Sequence, residues 1–235
     1  MIERMPDIRI LTTKQLAALR RYPTPTIVNA IETFGVRDRL NGYSSPGIQC
    51  LFPELGSIVG YAATATILSN QPAPPKRSVH RKTYWTYTQA AAKPIITVMQ
   101  DLSEISGGAY WGEVNSNMHK ALGSQGVITN GTVRDIPEVR ALGGFHFFAG
   151  GVHVSHGWAH LEDFNRPVKV FGMLVHPGDL IHADQHGACV IPHEISDRVA
   201  TVCAQIDEAE RPILHLCRSR HFNLDELDKL VSPEY

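Results

Sequence analysis

The sequence has little that would indicate a disulfide-bonded or thiolate-metal protein. It contains four cysteines, Cys50, Cys189, Cys203 and Cys217, and no two of them form a CxxC pair. This spacing removes the usual support for a zinc knuckle or a redox motif. Because a disulfide framework is not expected at this chain length, we expect reduced thiols and a cytoplasmic location.

Long hydrophobic runs and an excess of one charge are lacking as well. No segment approaches the roughly 18 uninterrupted apolar residues that a membrane helix needs. The first ten residues, MIERMPDIRI, carry acids and a proline where a signal peptide has its apolar core. The formal net charge is -1, so no overall field attracts nucleic acid or an anionic membrane. We therefore expect a small-molecule or protein partner, with no membrane and no nucleic acid.

The composition is that of a globular protein with a well-filled core. Hydrophobic residues make up 43% of the chain and charged residues 19%. No internal repeat is visible, so we expect a single domain over residues 1–235. Its first half contains two predicted helices, one over residues 12–20 with a threonine cap and one that Thr26 caps. A strand follows over residues 56–68, in which Gly60 marks a bend or bulge.

The middle of the chain alternates between strands and helices. A buried strand is predicted over residues 95–99, and the helices and strands that follow are predicted at 112–122, 126–129, 136–142 and 145–149. Such alternation indicates an α/β architecture with at least partly parallel pairing. Three short β runs after Pro167 predict a β-meander. C-terminal helices are expected over about residues 194–235, the first beginning near Glu194 and ending at Pro212.

Charged residues cluster at two predicted helix starts. Glu113 lies at the first, and Arg134-Asp135 at the second, with a strand between them. In an α/β layer, successive helix N-termini lie at the same edge of the sheet, where their free N–H groups favour anions. Capping is the alternative for both acids: Asp135 begins the capping box DIPE, and an acid in the first turn, like Glu113, is favourable. Capping leaves Arg134 unexplained, because a cation there opposes the helix dipole.

This pattern resembles a known family. Gly112-Glu113, then residues 114–133, then Arg134-Asp135 is similar to the signature of class II pyruvate aldolases that cleave 4-hydroxy-4-methyl-2-oxoglutarate. The same family contains the regulator of ribonuclease activity A. The flanking segments NGTVRDIPEVRALG and PGDLIHADQHGACVIP are also similar to family members. The resemblance, which spans roughly residues 24–195, implies an αββα sandwich with mixed sheets and a homotrimer or homohexamer with sites between subunits.

The resemblance also implies roles for individual residues. Asp135 would bind Mg²⁺ or Mn²⁺, partly through waters, and Arg134 would hold the carboxylate and oxo groups of the substrate. Position 113 is aspartate in the characterised aldolases; Glu113 here would help hold the metal's water shell. Gly112, Glu113 and Val114 would adjoin the substrate. Retro-aldol cleavage of a 4-hydroxy-2-oxo acid to pyruvate follows, and the same enolate chemistry implies oxaloacetate decarboxylation.

Histidines form two further groups of candidates. His156 and His160 are four residues apart in GGVHVSHGWAH, a metal-binding spacing if that segment were helical. His182 and Asp184 alternate in LIHADQHGA and would share one face of a strand. Hydrogen bonding to backbone is the alternative for all three histidines.

Other functions stay open at this point. The protein could be a non-catalytic interaction protein like the ribonuclease regulator, or another metal-dependent oxoacid enzyme such as a decarboxylase, dehydratase or tautomerase. Nucleic-acid binding through the cations of the proline-rich segment 69–82 has less support, because such a loop is usually a solvated surface. The cations of segment 69–82 are Lys76, Arg77, Arg81 and Lys82.

Glu208 and Glu210 are candidates for a residue that a neighbouring subunit contributes to the site.

Overall fold

The computed structural model of the chain describes residues 8–75 and 79–231. Its helices are α1 Thr13–Leu19, α2 Thr24–Glu32, α3 Arg81–Ala90, α4 Glu113–Leu122, α5 Ile136–Leu142, α6 Val199–Arg218 and α7 Leu224–Leu230. Its strands are β1 Gln49–Cys50, β2 Ile58–Leu68, β3 Ile95–Asp101, β4 Ala109–Trp111, β5 Ser124–Thr129, β6 Thr132–Val133, β7 His146–Ala149, β8 Gly151–Val152, β9 His160–Phe164, β10 Val168–Val170, β11 Met173–Val175, β12 Leu180–Asp184 and β13 Gly187–Ile191.

A mixed sheet of eight strands forms the centre of the described residues. Its order is β1-β7-β5-β3-β2-β12-β13, and β9 also pairs with β2. The inner pairs β2–β3, β3–β5 and β5–β7 are parallel, whereas β1, β9, β12 and β13 pair antiparallel. The predicted α/β class with mixed sheets is therefore confirmed, including the parallel pairing inferred from the strand–helix alternation.

A second, smaller sheet consists of β4, β6 and β8, all parallel. Each of its strands follows a parallel strand of the main sheet by a few residues: β4 follows β3, β6 follows β5 and β8 follows β7. Helices α4 and α5 begin directly after β4 and β6. The small sheet therefore carries the chain from the carboxyl edge of the main sheet to the starts of these two helices.

Apolar side chains form three buried clusters around the main sheet. The first includes residues of α1, α2 and α6 against β2, β12 and β13, and the second includes the β10–β11 hairpin on the opposite face. In the third, Tyr84 of α3 and Val139 of α5 pack with Trp111 and Phe147. Helices α3 and α5 thus pack on the main sheet through this third cluster.

Several predicted boundaries were wrong at the N-terminal end. Helix α1 has the expected Thr12 cap, which forms a capping box with Gln15. Helix α2 begins at Thr24 rather than after Thr26, because the Asp184 carboxylate accepts a hydrogen bond from the Thr24 N–H at 2.9 Å. Gly60 is not a bulge; the β2–β9 register shifts at Thr66/Ile67. A Cβ at Gly60 would lie 2.6 Å from the Pro94 carbonyl oxygen, so glycine allows this close approach.

The C-terminal third also differs from the prediction. The β-meander is two separate hairpins, β10–β11 in its own sheet and β12–β13 in the main sheet. Helix α6 begins at Val199 rather than near Glu194, and Pro212 lies inside it. Because residue 212 is exposed, water can satisfy the carbonyl that proline leaves unpaired, and the helix continues. Among the described residues, no helix combines the length and apolar character needed to cross a membrane.

Candidate functional site

The small sheet brings the two charged motifs together. Trp111 at the end of β4 pairs with Val133 at the end of β6, and the Arg134 N–H donates to the Trp111 carbonyl at 2.9 Å. Gly112 and Arg134 therefore follow adjacent strand ends. On the other side of β6, the His153 N–H donates to the Val133 carbonyl at 2.9 Å, so the histidine-rich segment leaves β8 at the same edge.

Asp135 has an unusual backbone conformation and an unusual partner. It is a non-glycine residue in the left-handed region, with φ 56° and ψ 46°. Its side chain makes no capping bond to its own helix α5; instead, Oδ2 accepts a hydrogen bond from the Glu113 N–H of α4 at 2.9 Å. The alternative of a DIPE capping box is therefore wrong. A left-handed non-glycine residue costs about 1–3 kcal/mol and persists where surrounding structure enforces it.

Gly112 is the residue that makes room for this carboxylate. A Cβ at position 112 would lie 2.4 Å from Asp135 Oδ2 and 3.1 Å from the Cγ of Arg134. Real Cβ atoms essentially never approach a heavy atom at the first distance. Glycine at this position is thus required for the Asp135 carboxylate to reach the start of α4.

The Arg134 guanidinium lies beside the same carboxylate. Its Nε is 3.7 Å from Asp135 Oδ2, and the two side chains are 37% and 35% exposed. The two neighbouring charges therefore interact and remain accessible to a ligand. Partial exposure screens their attraction, so the pair contributes little to the stability of the fold.

Both residues line a cavity of about 710 Å³. The polar and aromatic side chains around it come from α3, α4 and the segment before β9. Residues that line the cavity include Arg81, Trp85, Gly112, Val114, Asn115, Met118, Arg134, Asp135, His156, Trp158, His160 and Leu161. Of the predicted site residues, the structure thus brings Gly112, Val114, Arg134, Asp135, His156 and His160 to one cavity.

His156 and His160 reach this cavity without forming a helix, since His160 begins strand β9. His156 is exposed, and its Nδ1 lies 2.7 Å from the Gly157 carbonyl oxygen. A carbonyl only accepts, so Nδ1 carries the hydrogen and Nε2 of the neutral ring is an acceptor. His160 is buried, with Nδ1 2.7 Å from the Trp158 carbonyl and Nε2 2.7 Å from the Glu162 carboxylate.

Glu113 occupies a different position from its neighbours. Its backbone N–H binds Asp135, and its carbonyl accepts from Asn117, but its side chain is exposed and lies outside the cavity lining. Val114, the next residue, lines the cavity and is 70% exposed. The first turn of α4 therefore contributes its backbone and Val114 to the site, with the Glu113 carboxylate at its margin.

His182 and Asp184 lie elsewhere, at the start of α2. They share one face of β12 as predicted, and both contact Thr24: His182 Nδ1 is 3.0 Å from its hydroxyl, and Asp184 accepts its N–H. Burial lowers the pKa of His182 to about 4. Burial opposes ionisation of Asp184, but hydrogen bonds from Thr24 and His186 lower its pKa. These contacts cap α2, so they stabilise the fold.

Tyr84, His119 and Trp111 form a buried aromatic group next to the site. The Tyr84 hydroxyl lies 2.9 Å from Nε2 of His119, whose Nδ1 lies 2.7 Å from the Asn115 carbonyl. The His119 ring also lies 4.4 Å from the Trp111 ring, measured between centroids. Burial lowers the pKa of His119 to about 4, so this ring is neutral near pH 7. The contact joins α3 to α4 next to Gly112.

The donor set suits one kind of metal site. Within residues 8–75 and 79–231, no three His, Cys, Asp or Glu side chains are grouped as a closed metal cage. Asp135 uses Oδ2 for Glu113 and Arg134, while its Oδ1 has no hydrogen bond from the described residues. Mg²⁺ is commonly held by one or two carboxylates together with waters and substrate oxygens. An open, oxygen-based Mg²⁺ or Mn²⁺ site therefore fits Asp135, and a structural zinc site does not.

Several cavity residues were missed by the sequence analysis, among them Arg81, Trp85 and Trp158. Arg81 was assigned to a solvated loop, but it is the first residue of α3 and lines the cavity. Trp85, in the next turn of α3, also lines the cavity. Trp158 lines it from the segment before β9 and is 60% exposed. No motif surrounds Arg81, Trp85 or Trp158. The one available signal was the position of Trp158 in the histidine-rich segment, directly after Gly157. Lys82 lines a different surface groove, and Lys76 and Arg77 lie outside the described residues.

A family model described as aldolase/RraA matches residues 24–190. The chain belongs to the RraA-like family. This confirms the resemblance drawn from the Gly112-Glu113 and Arg134-Asp135 motifs, both of which lie inside the matched region.

Two curated relatives match parts of this chain. An uncharacterized protein of Methanocaldococcus jannaschii is 35% identical over 106 residues, which cover 45% of this chain and 50% of that protein. A Halalkalibacterium halodurans protein, provisionally named 4-hydroxy-4-methyl-2-oxoglutarate aldolase, is 33% identical over 81 residues, covering 34% of this chain and 39% of that protein. The chain thus spans half or less of the length of these relatives.

Solved structures show the same fold at low identity. An uncharacterized protein from Pseudomonas syringae superimposes with a TM-score of 0.73 at 19% identity, covering 98% of both chains. RraAS2 of Streptomyces coelicolor, described as an unusual member of the RNase ES inhibitor RraA protein family, has a TM-score of 0.69 at 21% identity, covering 86% of this chain and 96% of its own. The described residues therefore have the fold of RraA proteins.

Proposed function

We propose that this protein is a divalent-metal-dependent lyase that cleaves a small 4-hydroxy-2-oxo acid to pyruvate by retro-aldol chemistry. The observation that carries the proposal is the left-handed Asp135, whose carboxylate lies at the start of α4 and beside Arg134 on a 710 Å³ cavity. Backbone strain of this kind clusters at functional sites. A relative provisionally named as an aldolase supports the same reaction class.

Each charged group has a role in this proposal. Asp135, with Glu113 at the margin, would hold Mg²⁺ or Mn²⁺, which when bound supplies Lewis-acid stabilisation of the negative charge that develops on the substrate. Arg134 binds the substrate carboxylate and adds fixed positive charge beside the 2-oxo group. Val114 and Asn115, in the first turn of α4, face the same anion from the positive end of the helix dipole.

The reaction also needs a proton acceptor. Cleavage breaks the C3–C4 bond after the 4-hydroxyl loses its proton, and the resulting pyruvate enolate takes up a proton at C3. His156 presents an acceptor Nε2 on the cavity wall, because its Nδ1 donates to Gly157. We propose that Nε2 of His156 is the base that accepts the proton of the 4-hydroxyl group. Oxaloacetate decarboxylation forms the same enolate with loss of carbon dioxide, so we propose it as a second activity.

We also propose that the active protein is a homotrimer or homohexamer with its sites between subunits. The support is the 70% exposure of Val114 at the cavity, because a neighbouring subunit would cover this apolar side chain. Glu208 and Glu210 are on α6, which packs on α1 and α2 rather than at the cavity. Either glutamate would therefore act only in a site of another subunit. Sedimentation of the purified protein measures the subunit number.

The test is pyruvate release from 4-hydroxy-4-methyl-2-oxoglutarate, followed with lactate dehydrogenase. We expect activity that a chelator removes and Mg²⁺ or Mn²⁺ restores, and that Arg134→Ala and Asp135→Ala abolish. Arg140→Ala is the matched control, because Arg140 pairs with Glu54 at 2.8 Å on the surface and lies outside the cavity lining. Wild-type inactivity with a range of oxoacids and both metals would refute the proposal and favour an interaction protein.

A further inference from the structure

The cavity is larger than the proposed reaction centre requires. Its volume of about 710 Å³ is that of a pocket for a drug-sized ligand, of which a pyruvate unit would fill only a small part. Arg134, Asp135 and the start of α4, which are assigned to the oxoacid end and its metal ion, account for one part of the wall. The remaining wall therefore indicates which group the substrate carries beyond its oxoacid end.

Part of that remaining wall is apolar and aromatic. Two tryptophans, Trp85 and Trp158, line it together with Met118 and Leu161. Arg81 lies one helical turn before Trp85, so the guanidinium and the indole share a face of α3. A surface of indole rings with a neighbouring cation favours a flat, electron-rich apolar group.

Trp158 is exposed on a segment that tight backbone contacts hold in place. Trp158 is 60% exposed, yet its backbone N–H donates a hydrogen bond to the Ser69 carbonyl at 3.1 Å. A Cβ at Gly157 would lie 2.3 Å from the Gly107 carbonyl oxygen, and one at Gly108 would lie 2.4 Å from the His156 carbonyl carbon. Because the backbone is packed so closely, the exposure of Trp158 is fixed by the fold. Rigid, exposed tryptophans of this kind are characteristic of binding sites.

We propose that the substrate is a 4-hydroxy-2-oxo acid with an aromatic ring at C4, and that Trp85 and Trp158 bind this ring. The inference rests on the proposed function, because it takes the oxoacid end to lie at Arg134 and Asp135. Cleavage of the C3–C4 bond would release pyruvate and an aromatic aldehyde or ketone. Atoms balance, since the proton lost from the 4-hydroxyl oxygen is matched by the one gained at C3.

Calorimetric titration of the full-length protein with Mg²⁺ tests the inference, using pyruvate and 2-oxo-4-phenylbutanoate, which carries a phenyl ring on C4, as probes. We expect the wild type to bind 2-oxo-4-phenylbutanoate about tenfold more tightly than pyruvate, from the burial and stacking of one ring. Trp158→Ala and Trp85→Ala should each remove most of this preference while changing the affinity for pyruvate less than about twofold. Val154→Ala is the matched control, because Val154 is 93% exposed on the same segment and lies outside the cavity lining.

The outcomes separate this inference from the proposed function. If pyruvate binds and Arg134→Ala abolishes its binding, but 2-oxo-4-phenylbutanoate binds no more tightly, the oxoacid site stands and the aromatic subsite is refuted. Equal weakening of both probes in the tryptophan variants, or a changed subunit number with unchanged preference, also refutes the subsite. If the wild type binds neither probe, the proposed function and the subsite are both wrong.

Discussion

Replacing Gly112 with alanine tests the geometry of the site most directly. The added Cβ would lie 2.4 Å from Asp135 Oδ2 and 3.1 Å from the Arg134 Cγ. Neither backbone can retreat easily, because the Arg134 N–H donates to the Trp111 carbonyl at 2.9 Å. We therefore expect the Asp135 carboxylate to leave the Glu113 N–H.

The expected size of the effect follows from the contact that is lost. A hydrogen bond to a charged group contributes about 1.5–3 kcal/mol, and partial exposure of Asp135 argues for the lower end of that range. For a chain of this size, about 2 kcal/mol corresponds to a decrease in Tm of roughly 4–8 °C. The effect on kcat/KM should be larger, about 100-fold or more, because both the carboxylate and the guanidinium move.

Thermal unfolding and pyruvate-release kinetics measure the two effects. Gly151→Ala is the matched control, because a Cβ there meets nothing within 4 Å and Gly151 lies in the neighbouring strand β8. Asp135→Ala in combination with Gly112→Ala identifies the source of the loss: the two changes should be less than additive, since both remove the contact between Asp135 and the Glu113 N–H. The reasoning fails if Gly112→Ala matches Gly151→Ala in both Tm and kcat/KM.

Further predictions concern the charge of the site and the buried polar groups. Arg134→Lys keeps the charge but loses the planar fork, so kcat/KM should fall about 100-fold; a decrease below fivefold in steady-state assays would contradict this. In the folded chain the pKa values of His119 and His182 are about 4, below the ordinary value of 6.5. Between pH 6.5 and pH 4 the unfolded chain therefore binds more protons than the folded chain, so the free energy of unfolding falls as the pH drops through this range. Urea titrations should show a loss of about 2 kcal/mol per histidine from pH 7 to 5, and equal stabilities would refute it. Asp184→Ala should cost about 1–2 kcal/mol, because the Thr24 N–H loses its acceptor, and should leave kcat unchanged; an altered kcat would place Asp184 in the reaction.

The sequence predicted those elements that have strong periodicity and clear ends. Helix α5 was predicted with its exact bounds, and α4 and β3 within a few residues, since glycines or acids mark their ends. Helix α3 was missed because its sequence, RKTYWTYTQA, is rich in residues that favour strands, and its packing through Tyr84 overrides that preference. Strands of two or three residues, such as β6 and β8, are too short to show any period.

The same limits apply to the candidate site. Arg134 and Asp135 could be placed with Gly112 because each motif begins a helix in one α/β layer, and the layer sets where helices start. The Asp135 carboxylate crossing to α4 could not be foreseen, since DIPE predicts a cap for its own helix. Arg81 and Trp158 reach the cavity through tertiary packing, and only the folded chain shows this.

The crossing carboxylate of Asp135 has a consequence for how functions diverge within a family. One side chain both fixes the start of α4 and supplies negative charge to the cavity. Asparagine tolerates the left-handed backbone and can accept the same hydrogen bond through its amide oxygen, but it has no charge for a metal ion. Under the proposed function, a single Asp135→Asn replacement would therefore keep the backbone of the site and remove the charge that holds the metal. A catalytic and a non-catalytic chain with this site would then differ by one atom at position 135.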